Sequence, residues 1–281
     1  MANEKRERQK AQREARLAVE KKAATASQRK KFFIKWGGIV GGILVAAFLY
    51  SQFFGEDDPN DTADDGAAAV EPADARFEVL ADLPAGCPAA DGSSPTTSQF
   101  DGPPPTCIDP ELDYVAEFTT SAGNFTALLR PEDDVASVNN FIFLARHHAY
   151  DGTVFHRVIN NFMIQGGDVE DLSGQGGPGY SFRGEFAKDD SYLVGTLAMA
   201  NRGDPSSNGS QFFIVTGDAG VDLDPLYSPL GQVISGIDVP LEVQGVDTEP
   251  GDAPTSDVTI ETVFIRLATE DDLVAYDEVV G

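Results

Sequence analysis

Cysteine, tryptophan, histidine and methionine are all scarce in this chain. Its 281 residues include two cysteines, one tryptophan, three histidines and three methionines. So few cysteines exclude a disulfide-dense scaffold, and 41% hydrophobic with 23% charged residues excludes a wholly disordered or collagen-like chain. The length is typical of one or two folded domains.

Positive charge is also scarce beyond residue 35. Residues 1–35 hold 12 of the 20 basic residues and four acids, whereas residues 36–281 hold 8 basic and 42 acidic residues. The net charge is −26 for the whole chain and −34 for the second part. A nucleic-acid-binding face needs clustered basic residues, so we do not expect a nucleic-acid partner. The reversal of charge predicts that the two parts lie in different places.

Long uncharged runs are absent except between Trp36 and Gly55, where twenty residues carry no charge. A helix of that length spans about 30 Å, the thickness of a bilayer's hydrocarbon core. A cleaved signal peptide would have a shorter basic region and a small-x-small site after the run, and glycines would weaken a buried soluble helix. We therefore predict a single transmembrane helix at 36–55. Because basic residues precede it, the segment 1–35 is expected to be cytoplasmic and the rest extracytoplasmic, in the cell membrane.

Large apolar residues are few in 56–83, a stretch rich in acids that is typical of a disordered linker. Cys87 and Cys107 follow, with 19 residues between them that consist mostly of turn formers. Outside the membrane a disulfide persists, so we predict this pair to be bonded, with metal binding as the alternative. The segment 84–110 is then a disulfide-closed extension.

From residue 111 the pattern is that of many short strands with few helices. Alternating apolar residues predict a hairpin at 114–129, and Pro131 with three following acids predicts the start of a helix that runs to His147. Further short strands are predicted at 153–159, 162–165, 196–200, 211–216, 230–234 and 258–265. This arrangement indicates a mainly β barrel or sandwich over 111–268, followed by an acidic C-terminal tail at 269–281.

Four motifs in this domain, in this order, resemble those of the cyclophilins. They are FHRVINNFMIQGGD at 155–168, GQGG at 174–177, LAMAN at 197–201 and NGSQFFI at 208–214. The resemblance implies a closed eight-stranded antiparallel β-barrel capped by two helices, the second of which would lie near Ile237–Val243. It also implies peptidyl-prolyl cis-trans isomerase activity without a metal or other cofactor, acting on proline-containing polypeptides. The alternative is a non-catalytic module or chaperone that only binds such segments.

Rotation about an X–Pro bond is slow because amide resonance must be broken, with a barrier near ~20 kcal/mol. A catalyst has to hold the proline and offer a hydrogen-bond donor to the imide nitrogen in the twisted state. Arginine suits that task because it is always charged and its donors are rigidly arranged. The resemblance implies that Arg157 is the catalytic donor and that Gln165 hydrogen-bonds both Arg157 and the substrate backbone. It further implies a substrate-binding set that comprises Phe162, Met163, Ala200, Asn201, Gln211, Phe213, Leu223 and Tyr227.

The chain departs from the family pattern at three places. Asn160-Asn161 replaces the usual Pro-Gly, and asparagine tolerates the positive φ that such a turn requires. The family's tryptophan position falls at Val221 or Asp222, so we expect weak cyclosporin binding. Arg202 stands where a small residue is common, and it could narrow the groove or attract acidic peptides.

Overall fold

The computed structural model describes residues 83–187 and 192–281. The predicted basic segment at 1–35, the membrane span at 36–55 and nearly all of the acidic linker lie outside these residues. Within the described residues no helix is both long and apolar enough to cross a bilayer. Nine strands form the sheet: Tyr114–Thr120 (β1), Gly123–Leu129 (β2), Thr153–Val154 (β3), Arg157–Ile159 (β4), Met163–Gly166 (β5), Thr196–Met199 (β6), Phe212–Val215 (β7), Pro229–Ser235 (β8) and Thr259–Leu267 (β9).

All neighbouring strands pair antiparallel, in the order β3-β9-β1-β2-β8-β6-β7-β5-β4. The predicted mainly β, cyclophilin-like fold is confirmed, but the predicted closed eight-stranded barrel is wrong. The sheet is curled and open, because its edge strands β3 and β4 do not pair with each other. The cause is a break in the strand predicted at 153–159. Phe155 and His156 leave the strand conformation, and Phe155 turns its ring, only 1% exposed, into the core.

In the described part of the chain, four α-helices accompany the sheet: Val135–Arg146 (α1), Asp218–Val221 (α2), Asp238–Val243 (α3) and Glu270–Val280 (α4). The helices predicted after Pro131 and near Ile237 are α1 and α3. Helix α1 begins after Asp134, whose carboxylate accepts a hydrogen bond from the Ser137 backbone N–H at 3.0 Å and caps the first turn. It packs against β8 and β9, and α3 contacts β2.

Helix α4 occupies the segment that composition predicted only as an acidic tail. Its first turn carries Asp272, whose carboxylate accepts hydrogen bonds from the Thr269 backbone N–H at 2.8 Å and from Arg266 Nη2 at 2.9 Å. Three acids at the N-terminal end of a helix are favoured by the helix dipole. The helix then contacts β8 and β2, so the C-terminal segment is part of the folded domain.

Alternation along the central strands divides the apolar residues between two clusters. Phe212 and Ile164 point into the large core beneath α1, while their neighbours Phe213 and Met163 point to the opposite side of the sheet. Successive residues of a strand face opposite sides, so a single strand supplies both clusters. The large core is aromatic, and Phe141, Tyr150 and Phe212 pack with ring centroids 5.0–5.6 Å apart. The second cluster is smaller and lies where the site residues were predicted.

The disulfide between Cys87 and Cys107 is present, as predicted. The extension that it closes runs along the domain surface, where the Thr97 N–H donates to His147 O at 2.9 Å and the Phe100 N–H donates to Pro178 O at 2.9 Å. The Phe100 ring packs 4.9 Å from that of Phe143 on α1. The extension is therefore docked on the domain, and it reaches the glycine turn at 174–179.

Candidate active site

Strand register places the two predicted catalytic residues and the predicted pocket residue Phe213 in one row. Arg157 on β4 lies opposite Gln165 on β5, and Gln165 lies opposite Phe213 on β7. Phe213 in turn lies opposite Ala198 on β6. Directly opposed residues of antiparallel strands share a face, so the row crosses four strands on one side of the sheet. Sequence motifs that are far apart in the chain thus meet at one place.

The turn that sets this register depends on Asn161, which joins β4 to β5. Its φ is 58°, the left-handed conformation, so the prediction that asparagine would preserve this turn is confirmed. A side chain from outside the hairpin also stabilises the turn, because the Asn161 N–H donates to Gln244 Oε1 at 2.8 Å. Arg157 and Gln165 are therefore kept in register by a turn that does not need the family's Pro-Gly.

An apolar floor lies at this row, with Phe213 in it and Met163 beside Gln165 on the same face of β5. Met163 and Phe213 are buried, with 3% and 4% exposure, and the rings of Phe213 and Tyr227 pack edge to face with centroids 5.2 Å apart. The remaining predicted apolar residues are partly buried and pack against the cluster to which these two belong: Phe162, Ala200, Leu223 and Tyr227. Val221, one of the two residues at which the family's tryptophan position could fall, also packs against this cluster. The structure thus brings all of the predicted apolar residues together.

The segment that carries Tyr227 is held by a residue that the sequence did not reveal. The Tyr192 hydroxyl donates to the Tyr227 carbonyl at 2.7 Å and accepts from the Tyr227 N–H at 3.0 Å. Burial raises the pKa of Tyr192 to about 12, so the hydroxyl stays protonated and can act as both donor and acceptor at neutral pH. Tyr192 thereby holds the backbone of Tyr227, whose ring forms the wall of the pocket.

A polar groove of about 600 Å³ adjoins the apolar floor. It is lined by Gln165, Ala200, Asn201 and Gln211, all predicted substrate-binding or catalytic residues, and by the glycine turn at 174–179. Arg157 and the pocket aromatics are not among its lining residues, and Ala200 belongs to both parts. The site therefore joins a polar groove to an apolar cluster, and Ala200 is the residue that they share.

Side-chain amides order the groove. Gln165 Nε2 donates to Gln211 Oε1 at 2.9 Å, and Gln211 Nε2 donates to Gly176 O at 2.9 Å. Asn201 Nδ2 donates to Leu226 O at 3.0 Å. The predicted hydrogen bond between Gln165 and Arg157 is not among these contacts. Arg157 Nε instead donates to Asp252 Oδ2 at 3.3 Å, an ion pair that no sequence motif indicated.

Asp168 organises the glycine turn, and sequence reasoning assigned it no role. Its fully buried carboxylate accepts backbone hydrogen bonds from Glu170 at 3.0 Å, Asp171 at 3.3 Å, Gly174 at 2.7 Å and Gly176 at 3.0 Å. Burial alone would raise the pKa of Asp168, but these four donors outweigh it and hold the pKa below its usual value. The available signal was an Asp before two closely spaced glycines.

Among residues 83–187 and 192–281, no group of three or more His, Cys, Asp and Glu side chains is placed to hold a metal ion. The arrangement offers a partly exposed guanidinium on the face of the sheet that carries the Met163–Phe213 cluster, together with amides along a groove. Such a set can hold a peptide and donate hydrogen bonds to it.

Comparisons with known proteins agree with this geometry. A family model described as "Cyclophilin type peptidyl-prolyl cis-trans isomerase/CLD" matches residues 115–265. A putative peptidyl-prolyl cis-trans isomerase of Staphylococcus saprophyticus is 35% identical over 176 residues, which cover 52% of this chain and 88% of the relative. Its counterpart in Staphylococcus aureus (strain USA300) is 37% identical over 177 residues, covering 52% and 89%.

Solved structures give the same result. The crystal structure of a cyclophilin-type peptidyl-prolyl cis-trans isomerase from Cryptosporidium parvum is 26% identical, with a TM-score of 0.51, and the match covers 56% of this chain and 99% of that one. A structure of the same protein in the presence of the dipeptide Ala-Pro has a TM-score of 0.50 at 27% identity and the same coverage.

Proposed function

The chain belongs to the cyclophilin-type peptidyl-prolyl cis-trans isomerase family, and we propose that Arg157 and the apolar floor are the parts with which it accelerates X–Pro rotation. The observation that carries this proposal is the register row, which sets Arg157, Gln165 and Phe213 side by side on one face. The substrate class is proline-containing polypeptide. The comparison structure determined in the presence of Ala-Pro supports that class.

The mechanism requires no covalent intermediate. In the twisted state the imide nitrogen loses its resonance with the carbonyl and gains a lone pair that can accept a hydrogen bond. A guanidinium N–H directed at that nitrogen stabilises the twisted state more than either planar state, which lowers the barrier. The Met163–Phe213 floor takes the pyrrolidine ring, and the groove amides hold the backbone on one side so that the other side rotates.

We propose further that the enzyme acts on exported, folding chains at the outer face of a cell membrane. The support comes from the sequence alone: twenty uncharged residues at 36–55, a basic segment before them and an acidic domain after them. A tethered isomerase would meet polypeptides as they leave the membrane. Weak cyclosporin binding stays a prediction from Val221 and Asp222 at the family's tryptophan position.

Catalysis is tested on the purified full chain by nuclear magnetic resonance exchange between the cis and trans forms of an Ala-Pro peptide. We expect catalytic amounts of the protein to broaden or exchange the two sets of signals, which uncatalysed rotation over tens of seconds cannot do. A folded protein that binds the peptide without accelerating exchange would contradict catalysis and favour the binding-module alternative.

The location is tested on intact bacterial cells that express the full chain. The cells are treated from outside with a lysine reagent that cannot cross the membrane, or with a protease. We expect external protease to remove the isomerase domain while an epitope at the N-terminus survives. Protection of the domain until the cells are lysed would contradict the proposed orientation.

A further inference from the structure

Asp252 lies in the loop between α3 and β9 and contacts β4 twice. Its carboxylate accepts a hydrogen bond from Arg157 Nε at 3.3 Å, and its carbonyl accepts one from the Val158 N–H at 2.8 Å. Strand β4 is an edge of the sheet, so the Val158 N–H lacks a strand partner on that side. The loop therefore completes the edge of β4 at the residue next to Arg157.

The loop presents Asp252 in a fixed conformation. Gly251 and Asp252 both have positive φ, 106° and 68°, and the Asp252 N–H donates to Glu249 O at 3.0 Å. The Glu249 N–H donates in turn to Ala253 O at 2.8 Å, and Thr248 pairs with Pro254 across the loop. These contacts fix the backbone of Asp252 before any substrate arrives, so the point from which its side chain extends does not depend on Arg157.

We propose that Asp252 is a positioning residue that aims the Arg157 guanidinium at the substrate imide. The inference rests on the proposed function of Arg157 and adds a residue to it. The two side chains are 42% and 44% exposed, so an unpaired Arg157 would sample many rotamers in water. A bond to Nε fixes the plane of the guanidinium and leaves both Nη groups, which are the outer donors, free for the substrate.

The ion pair between Arg157 and Asp252 orients the guanidinium but also reduces the positive potential around it. An exposed ion pair is worth little to folding stability, about 0–1 kcal/mol, so stabilising the fold is not its main effect. A neighbouring carboxylate also weakens the positive field of Arg157, which on its own would reduce catalysis. Because the twisted imide is stabilised only by a donor held in the correct direction, we expect the gain in orientation to exceed the loss of field.

Three single variants of the full chain separate orientation from charge and loop structure. Asp252→Ala removes the acceptor, and we expect kcat to fall roughly tenfold with little change in KM, because the Arg157 contact is made in the twisted state. Asp252→Asn keeps an acceptor oxygen and tolerates the positive φ, so it should recover most of the lost kcat. Glu249→Gln removes an equal charge from the same loop at an exposed side chain and should leave kcat unchanged.

The deciding comparison places Asp252→Ala in an Arg157→Ala background. If Asp252 acts through Arg157, it costs nothing further there; a general loop defect would lower the residual activity again. An Asp252→Ala variant with wild-type kcat, or one that costs the same tenfold in the Arg157→Ala background, overturns the inference and leaves the proposed function standing. A folded wild type without activity overturns both.

Discussion

Tyr227 contributes its ring to the wall beside the apolar floor, and its hydroxyl makes no hydrogen bond among the residues that the structure describes. The ring packs edge to face on Phe213 with centroids 5.2 Å apart, while the hydrogen bonds of this residue are made by its backbone to Tyr192. A side chain used in this way can be truncated in two steps, the hydroxyl first and then the ring.

We predict that Tyr227→Phe keeps most of the catalytic efficiency, whereas Tyr227→Ala raises KM for proline peptides about three- to tenfold. An aromatic pair of this kind contributes roughly 0.5–1.5 kcal/mol beyond the area that it buries. Steady-state kinetics on both variants checks this. An equal loss in the two variants would mean that the hydroxyl, and not the ring, contacts the substrate.

Which single residues the sequence could identify depends on how close their partners are in the chain. Arg157 and Gln165 face each other across one hairpin, so a single local motif contains both of them. Asp252 is 95 residues from Arg157, and nothing in its local sequence indicates an ion pair. Tyr192 and Asp168 were missed because their roles depend on loop conformation.

The glycine turn joins the groove to the Asp168 carboxylate with no space for a side chain at Gly176. A Cβ built there would overlap Asp168 Oδ1 and lie 2.6 Å from Glu170 Cβ, whereas one at the adjacent Gly177 would meet nothing within 4 Å. Gly176 O also accepts the hydrogen bond from Gln211 that orders the groove. The two glycines therefore form a matched pair for substitution.

We predict that Gly176→Ala displaces the turn, lowers the free energy of unfolding by about 1–3 kcal/mol and raises KM, through loss of hydrogen bonds to the buried carboxylate. Gly177→Ala should change both quantities much less. Chemical denaturation and peptide kinetics on the two variants measure this. Equal effects at both positions would show that the turn is flexible and that the Asp168 contacts are unimportant.

The disulfide-closed extension is also held by His148, which lies between two acceptors. His148 Nε2 is 2.8 Å from Gly92 O and Nδ1 is 3.0 Å from Asp151 Oδ2. The hydrogen bond to Gly92 and then the contact with Asp151 raise the pKa of His148 above its usual value. Only the protonated ring donates to both acceptors at once.

Because the folded pKa of His148 exceeds the unfolded value of about 6.5, its stabilisation is complete below that pH and is lost as the pH rises through the folded pKa. His148→Asn keeps the positive φ of 55° tolerable. We predict that it lowers the melting temperature more at about pH 6 than at about pH 9. A larger effect at pH 9 would contradict the proposed protonation.

The elements that sequence patterns missed are those in which local and tertiary preferences conflict. The alternation of apolar residues predicted one strand at 153–159. In the structure Phe155 is buried in the core, and the predicted strand is divided into β3 and β4. Acidic composition concealed α4, whose contacts with β2 and β8 depend on tertiary packing. The disulfide was predictable because two cysteines allow only one intramolecular pair, but the docking of Phe100 was not.

For the molecule as a whole, the sequence predicted the fold class, and it pointed to residues that the structure brings to one face of the sheet, but it did not predict the open sheet. The motifs retain their order because each contributes one strand or turn of a single surface. Closure of the barrel could not be predicted from the motifs, since it depends on whether β3 and β4 form one continuous strand that pairs with both β9 and β5. The central claim that remains to be measured is that this surface catalyses through one guanidinium.

The most direct test measures kcat/KM of the full chain for a proline peptide in the wild type, in Arg157→Ala and in the matched control Arg183→Ala, an exposed arginine outside the groove. Circular dichroism and melting show whether all three are folded. We predict a loss of roughly a hundredfold or more for Arg157→Ala, as for removal of one preorganised donor, and little change for Arg183→Ala. A folded Arg157→Ala variant with wild-type kcat/KM would contradict the account.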